Sequence, residues 1–217
     1  MDEEKCFINS FIDRLTGKAE SRCTKFLDVA FRLFLENGYE KVSMSDIVKH
    51  SGGSLATLYK HFGSKEQLFI YVLEQKTEEL FGDWARKSAC YEGRLEAFLM
   101  EVGKLLLEVI ITDDAILFKR LIVSLGYIDE TELKKQSILN LMMLPVNVLA
   151  EYLEKEKQKG RIEVEDTALC AHQFFNALEA PFLFSRVLGV DIDISEERRL
   201  KALKQVVTIF CRGLLLK

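Results

Sequence analysis

Apolar residues recur with the spacing of an α-helix along most of the chain. In residues 19–37 they fall at i, i+3, i+4, i+7 and i+8, as Phe26, Val29, Ala30, Leu33 and Phe34. A similar stripe crosses residues 3–15, and Asn37-Gly38 supplies a pair that tolerates the left-handed end of a helix. No alternating strand pattern persists, and two prolines in 217 residues interrupt few helices. The pattern predicts an all-α fold.

From residue 93 onward the apolar stripes are longer. They predict helices over 93–111, 114–125, 130–159, 165–188 and 195–215. Pro145 lies within the third span and is expected to bend or break it, because proline lacks a backbone N–H. The last two spans carry more apolar residues than one core-facing stripe needs. Pairing both helices with their copies in a four-helix bundle would bury the surplus. The expected homodimer interface comprises Leu169, Phe175, Leu178, Phe182, Leu203, Val206, Val207, Phe210 and Leu214.

The stretch "SMSDIVKHSGGSLATLYKHFGSKEQLF", residues 43–69, has a different organisation. Two short apolar runs are separated by Gly52-Gly53, and a third run begins after Gly63. Each run is preceded by a serine suited to N-capping, namely Ser43, Ser54 and Ser64. Two short helices joined by a tight glycine turn are typical of a helix-turn-helix.

The second short helix has the chemistry of a DNA-reading element. Leu55, Leu58 and Phe62 are expected to hold it on the protein core. Its exposed positions are expected to be Ser54, Thr57, Tyr59, Lys60 and His61, which are hydrogen-bonding or cationic. A helix of about 8 residues is short enough to lie in the major groove. The pattern therefore indicates a helix-turn-helix that binds double-stranded DNA.

Charge is distributed unevenly. The chain has a net charge of −4, yet residues 41–65 hold four lysines against Asp46, a local balance of +3 that leaves −7 elsewhere. A cationic patch on an acidic body can still bind phosphate. Lys65 also follows Ser64 in the first turn of the third helix, where the helix dipole disfavours a cation. A bound phosphate would resolve that conflict.

These residues carry a resemblance to a known family. The segment "ENGYEKVSMSDIVKHSGGSLATLYKHFGSKEQLF" resembles the DNA-binding domain of the TetR family of bacterial transcriptional regulators. The matching positions are Gly38, Tyr39, Ser43, Ile47, Gly52, Thr57, Leu58, Tyr59, His61, Phe62, Lys65, Leu68 and Phe69. The match covers roughly residues 19–70, and the remainder resembles the family's ligand-binding and dimerisation region in length and helix order only.

The resemblance implies roles for individual residues. Phosphate or base contacts are implied for Ser43 and Thr57, and phosphate contacts are implied for Tyr59, His61 and Lys65. The part of the recognition helix that selects the base sequence is represented by Ser54, Leu55, Ala56 and Lys60. Two positions depart from the family pattern. Gly53 stands where valine is usual, and Leu55 stands where a polar or basic residue is common.

The resemblance also implies an organisation into domains. Residues 1–18 form an N-terminal extension that is expected to be helical, 19–66 the helix-turn-helix domain, and 67–217 a ligand-binding and dimerisation domain. The implied function is a homodimeric repressor that binds a partly palindromic operator and is released by a small, largely apolar effector. The expected lining of the effector pocket is Phe98, Phe118, Met142, Phe174 and Phe175, for which plain core packing is the alternative.

Other classes of function lack support in the sequence. No apolar run approaches the ~20 residues of a membrane span, and the acidic N-terminus differs from a secretory signal, so a cytoplasmic protein is expected. The cysteines are scattered without CxxC spacing, which favours reduced thiols. No catalytic or metal-binding motif is present, so neither an enzyme nor a cofactor is expected. The alternative is an all-α ligand-binding or interaction protein without operator binding.

Overall fold

The computed structural model describes residues 21–88, 91–125, 139 and 142–215 of the 217-residue chain. Within these ranges the regular structure is helical, with one isolated bridge between Ile162 and Leu215, which confirms the all-α prediction. The proposed N-terminal extension, 1–18, and the first residues of the expected helix 130–159 lie outside the described residues.

The described helices group into two compact units. The first unit comprises the described parts of Met1–Asp83 and Arg120–Met142. Its helices along the first segment are α1 (Ser21–Asn37), α2 (Met44–Ser51), α3 (Leu55–Phe62) and α4 (Lys65–Thr77). A π-helical turn over Glu78–Gly82 continues directly from α4.

Serine caps fix where the short helices begin, as the sequence predicted. The hydroxyl of Ser43 accepts from the backbone N–H of Asp46 at 3.1 Å, while the Asp46 carboxylate accepts from the Ser43 backbone N–H at 3.0 Å. The hydrogen bonds from Ser43 lower the pKa of Asp46. Ser54 and Ser64 cap α3 and α4 in the same manner, each accepting from the backbone N–H three residues later. These bonds satisfy N–H groups that a helix start leaves free.

Aromatic side chains fill the core of the first unit. Phe26 of α1 meets Phe62 of α3 edge-on, with 6.4 Å between the ring centroids. Phe34 of α1 meets Phe69 of α4 in the same way at 5.3 Å. Such edge-to-face pairs are favourable beyond the apolar area that they bury. They anchor α3 and α4 on the long α1 helix.

The second unit comprises the described parts of Trp84–Lys119 and Met143–Lys217. Its elements are α5 (Asp83–Ser88, from Trp84), α6 (Leu95–Ile110), the first half of α7 (Asp113–Leu125), α8 (Leu144–Gln158), α9 (Thr167–Glu179), α10 (Leu183–Val187) and α11 (Glu196–Leu214). Both ends of three predicted spans agree with the observed helices to within two residues. These spans are 93–111, 114–125 and 195–215.

The other two predicted spans, 130–159 and 165–188, are each interrupted near a proline. Of the two outcomes expected at Pro145, the structure has the break. Met143 is in a turn and α8 begins at Leu144, so Pro145 occupies the first turn of the helix, where a missing N–H leaves no helical bond unmade. The prediction of one helix over 165–188 is wrong, because the chain turns at residues 180–182 between α9 and α10. Pro181 stands in that turn, and its lack of an N–H prevents the helix from continuing.

Close contacts set the packing of the second unit. At Gly103 of α6, a Cβ atom would lie 2.3 Å from Cδ1 of Leu203 in α11, so only glycine allows this approach. Phe98 of α6 stacks on Tyr152 of α8 with 3.9 Å between ring centroids. Arg186 of α10 binds the backbone carbonyl of Ile111 and, at 2.6 Å, the carboxylate of Asp113. These contacts connect α6, α8, α10 and α11 around one core.

Candidate nucleic-acid interface

The turn between α2 and α3 requires its glycines. Gly52 and Gly53 have φ angles of 78° and 96°, a region that residues with a Cβ rarely adopt. A Cβ atom on Gly53 would also lie 3.1 Å from Cζ of Phe26. Glycine in place of the usual valine at position 53 is therefore what this particular turn needs.

The recognition helix α3 has one buried and one exposed side. Leu58 is fully buried and Phe62 is 5% exposed, as predicted. Ala56 and Lys60, one turn apart on the opposite side, are both exposed, and Tyr59 and His61 flank them. The expectation that Leu55 packs inside is wrong, since its side chain is 40% exposed. Leu55 is the first residue of α3, so no preceding helical turn covers it.

The hydroxyls at the start of α3 bind each other. The Ser54 hydroxyl accepts from the Thr57 backbone N–H at 3.1 Å and lies 2.8 Å from the Thr57 hydroxyl. Thr57 is half-buried, whereas Ser54 is exposed. Ser43 at the start of α2 is exposed as well, and its hydroxyl donates to the Asp46 carboxylate at 2.6 Å. All three predicted hydroxyl positions are thus held by local bonds.

Lys65 makes a contact that sequence reasoning missed. Its ammonium group donates to the backbone carbonyl of Tyr39 at 3.2 Å and lies 4.3 Å from the centroid of the Tyr39 ring. The side chain is half-buried as a result. A lysine ammonium has three N–H donors, so the Tyr39 contact leaves donors for a phosphate. The residues are 26 positions apart, and no local pattern signals the contact.

The remaining cations of this region face outward. Lys41, Lys49 and Lys60 are exposed, and so is His50, whose Nδ1 lies 2.8 Å from the Asp46 carbonyl oxygen. They belong to the same stretch as the recognition helix, residues 41–65, which carries a charge balance of +3. A cluster of exposed cations of this kind is typical of nucleic-acid binding.

Family comparisons agree with this geometry. Residues 26–72 match the family model described as bacterial regulatory proteins of the tetR family. Residues 97–213, more than half of the chain, match the C-terminal domain of AefR-like transcriptional repressors. The chain belongs to the TetR family of bacterial transcriptional regulators. The resemblance is confirmed, and with it the expectation of a regulator instead of an enzyme.

Individual relatives match about a third of the chain in sequence and about nine tenths of the chain in fold. The HTH-type transcriptional repressor ComR of Escherichia coli strain K12 is 35% identical over 75 residues, 35% of this chain and 36% of ComR. A TetR-family transcriptional regulator from Mesorhizobium loti MAFF303099 has a TM-score of 0.76 at 20% identity, covering 90% of this chain and 97% of that one. The flavonoid-responsive regulator FrrA has a TM-score of 0.74 at 24% identity, covering 92% and 100%. At these identities the two structures show a common fold.

The five residues expected to line an effector pocket are not gathered at one described cavity. Phe98, Phe174 and Phe175 are at most 4% exposed and pack within the second unit, where Phe174 meets Phe175 edge-on at 5.9 Å. Phe118 is half-buried in the second unit, and Met142 is half-buried in the first. None of the five lines the groove of ≈ 580 Å³ that the second unit carries between α9 and α11.

That groove brings together part of the expected dimer surface. Its lining comprises Val164, Glu165, Asp166, Leu169, Cys170, Gln173, Ile209, Phe210, Gly213 and Leu214. Three of these residues, Leu169, Phe210 and Leu214, belong to the expected interface. Other expected interface residues face the protomer's own core instead, with 4% exposure or less, namely Phe175, Leu178, Phe182, Leu203 and Val207. Val206 is half-buried. The apolar stripe of α11 is thus shared between the core and the groove.

Across the described ranges, no group of three or more His, Cys, Asp or Glu side chains could hold a metal ion. None of the helices in the same ranges has the length and apolar character needed to cross a membrane. Cys170 and Cys211 are free thiols whose pKa is raised by burial, which disfavours the reactive thiolate.

Proposed function

We propose that this protein is a sequence-specific DNA-binding repressor whose α3 helix lies in the major groove of a partly palindromic operator. The observation that carries the proposal is the exposed side of α3, where Lys60, His61 and Tyr59 project from a helix whose inner side is fixed by Leu58 and Phe62. Exposed cations concentrate around that helix although the chain as a whole is acidic.

The contacts divide into positioning and reading. Lys65, Tyr59 and His61 bind phosphates, and the hydroxyls of Ser43 and Thr57 contribute from the starts of α2 and α3. Phosphate contacts fix the protein on the duplex but carry no sequence information. Lys60 and the exposed residues in the first turn of α3 approach the base edges, which specify the sequence.

A homodimer is part of the proposal. A recognition helix of eight residues reads few base pairs, so two copies related by a two-fold axis are needed for a usable operator. The groove between α9 and α11, with exposed Leu169 and Ile209 on its walls, supports pairing of the second units. The protein acts in the cytoplasm, where its operator is accessible.

The effector is proposed to be a small, largely apolar molecule that binds the second unit and releases the operator. The apolar and aromatic character of α6, α8 and α9 supports this class of ligand. FrrA, which shares the fold, is described as responsive to flavonoids, which are aromatic molecules of this kind. Mass spectrometry of the purified protein for a bound small molecule tests this part directly.

The DNA-binding proposal is tested by selecting duplexes from a random-sequence library with the full-length protein. Binding of the enriched duplex is then measured over a range of salt concentrations. Lys65→Ala is expected to weaken binding to the enriched duplex and to unrelated duplexes by a similar factor. It is also expected to lower the slope of log K against log salt concentration by about one unit. Lys60→Ala is expected to lose ~1–3 kcal/mol of the binding free energy that discriminates between bases at one base pair.

Lys201→Ala provides the matched control, since Lys201 is an exposed lysine on α11 of the second unit. It is expected to leave DNA binding unchanged. The repressor proposal fails if no duplex is enriched and if any remaining binding of the folded protein to DNA does not depend on salt concentration. The alternative, a ligand-binding or interaction protein without operator binding, would then stand.

A further inference from the structure

The exposed side chains in the first turn of α3 are apolar. Leu55, the first residue of the helix, is 40% exposed, and Ala56 beside it is exposed as well. Leu58 is fully buried and Thr57 is half-buried. The outward surface of this turn is therefore mainly apolar, although it belongs to a stretch of the chain, residues 41–65, with a charge balance of +3.

The polar groups of this turn are already engaged. The Ser54 hydroxyl caps the helix by accepting from the Thr57 backbone N–H, and the two hydroxyls lie within 2.8 Å of each other. These contacts use part of the hydrogen-bonding capacity of the two hydroxyls and hold them close to the helix start. The side chains that extend outward from this turn are Leu55 and Ala56, so the contacts that they make to bases are apolar.

The chemistry of the major groove identifies what such side chains recognise. Every base edge there presents hydrogen-bonding groups, but only thymine adds an apolar group, the C5-methyl. The N-terminal residues of a recognition helix are those that contact base edges. An apolar side chain placed on a polar edge would leave that edge desolvated without a partner, which is unfavourable.

We infer that Leu55 and Ala56 recognise thymine C5-methyl groups, so that each operator half-site contains at least one thymine whose methyl group is read by α3. The inference rests on the proposed DNA-binding function and adds the specificity of its first turn. It also gives a reason for leucine at a position where polar or basic residues are common in the family. Lys60, one turn further along the helix, reads hydrogen-bonding groups at a different base pair.

Replacing thymine by deoxyuridine tests the inference, because the exchange removes the methyl group and leaves the base-pair hydrogen bonds intact. The probe is the duplex enriched from the random library by the full-length protein, with one thymine at a time replaced. Burying one methyl group is worth about a fourfold change in affinity. One or two thymines per half-site are expected to show this loss with the wild-type protein.

The same substitutions are then measured with two protein variants. In Leu55→Ala or Ala56→Gly, the deoxyuridine effect is expected to shrink or disappear at the thymine that the altered residue contacts. Lys60→Ala is the control, and it is expected to keep the full deoxyuridine effect while losing affinity at another base pair. Circular dichroism confirms that each variant retains its helices.

The outcomes separate the inference from the function on which it rests. Failure to enrich any duplex would overturn sequence-specific DNA binding itself. An enriched duplex with no deoxyuridine-sensitive thymine would overturn only the reading of methyl groups. So would a deoxyuridine effect that both Leu55→Ala and Ala56→Gly leave at its full size. Loss of the effect in either variant, with its persistence in Lys60→Ala, supports the inference.

Discussion

Single residues decide whether the recognition helix is presented correctly. Gly53 combines a positive φ angle with a close approach to the ring of Phe26, while Ser54 next to it begins α3. Lys65 connects the start of α4 to the Tyr39 carbonyl. These contacts hold both ends of α3 without using its outward side chains, which remain available for DNA.

We expect Gly53→Ala to destabilise the protein by ~1–3 kcal/mol, because alanine is strained at this φ and its Cβ would press on Phe26. The free energy of unfolding from urea titrations measures the effect. Combining the change with Phe26→Leu, which removes the ring, is expected to lower the cost of Gly53→Ala. Equal costs in both backgrounds would show that the ring contact is unimportant.

Glu179 is expected to make the stability of the protein depend on pH. The Glu179 carboxylate lies 3.8 Å from the Lys119 ammonium, and its side chain is 25% exposed. Burial raises the pKa of Glu179 and outweighs the opposing attraction of Lys119. The folded protein therefore binds this proton more tightly than the unfolded chain. The free energy of unfolding is therefore highest at low pH, where Glu179 is protonated in both states. It falls as pH rises above the ordinary glutamate pKa, because the folded protein must then bury the charged carboxylate.

The comparison to make is thermal unfolding of the wild type and Glu179→Gln between about pH 4 and about pH 7. The wild type is expected to lose stability relative to the glutamine variant as pH rises, since only the wild type must bury a charge. Lys119→Met removes the compensating cation and is expected to make the loss larger. A difference that does not change with pH would contradict the assignment.

At the scale of elements, glycine and proline determine how the helices of the second unit pack and end. Pro145 begins α8 and Pro181 separates α9 from α10, so the two prolines have different consequences that depend on the turn in which each lies. Gly103 lets α6 and α11 approach closely. The crossing of α6 and α11 is a sensitive point of this core.

We expect Gly103→Ala to destabilise the second unit, although alanine favours a helix by ~1 kcal/mol relative to glycine. The new Cβ would lie 2.3 Å from Leu203 and 3.1 Å from Leu178, and overpacking of this kind costs ~1–3 kcal/mol. Adding Leu203→Val, which shortens the facing side chain, is expected to restore part of the stability. Thermal unfolding of the single and double variants provides the measurement, and a gain in stability from Gly103→Ala alone would show that α11 moves freely.

At the scale of the whole molecule, the second unit leaves apolar residues exposed on α9 and α11. Leu169 is 54% exposed and Ile209 is 59% exposed on the walls of the same groove. Phe210, also in the groove, is half-buried and meets Phe174 edge-on at 5.2 Å. A charge at Phe210 would disturb the fold as well as an interface, so Ile209 is the cleaner position to test pairing.

Ile209→Glu is expected to convert the dimer to a monomer and abolish operator binding, because it places an unpaired charge in the proposed interface. Analytical sedimentation and DNA titration check the two effects. Val123→Glu, which changes an equally exposed apolar residue on α7 at 57% exposure, is expected to leave both unchanged. If the Ile209→Glu protein remains dimeric and binds its operator, the dimer interface lies elsewhere on the protein.

The all-α fold, the helix-turn-helix and most helix boundaries could be predicted from the amino-acid sequence. These features depend on local rules, since apolar periodicity, serine caps and glycine turns act within a few residues of the chain. The buried side of α3 was predicted at Leu58 and Phe62 for the same reason. The cluster of lysines could be predicted too, because they lie within one short stretch of the chain.

Which apolar residues form the core and which stay outside could not be predicted from local patterns, because it depends on contacts between distant helices. Phe175, Leu178 and Leu203 were expected at a dimer interface, but neighbouring helices of the same protomer bury them, while Leu55 stays exposed at the end of α3. The contact of Lys65 with Tyr39 likewise joins residues that are distant along the chain. A periodic pattern reports that a helix has an apolar side, but the identity of its neighbour depends on how distant segments pack, which no local rule encodes.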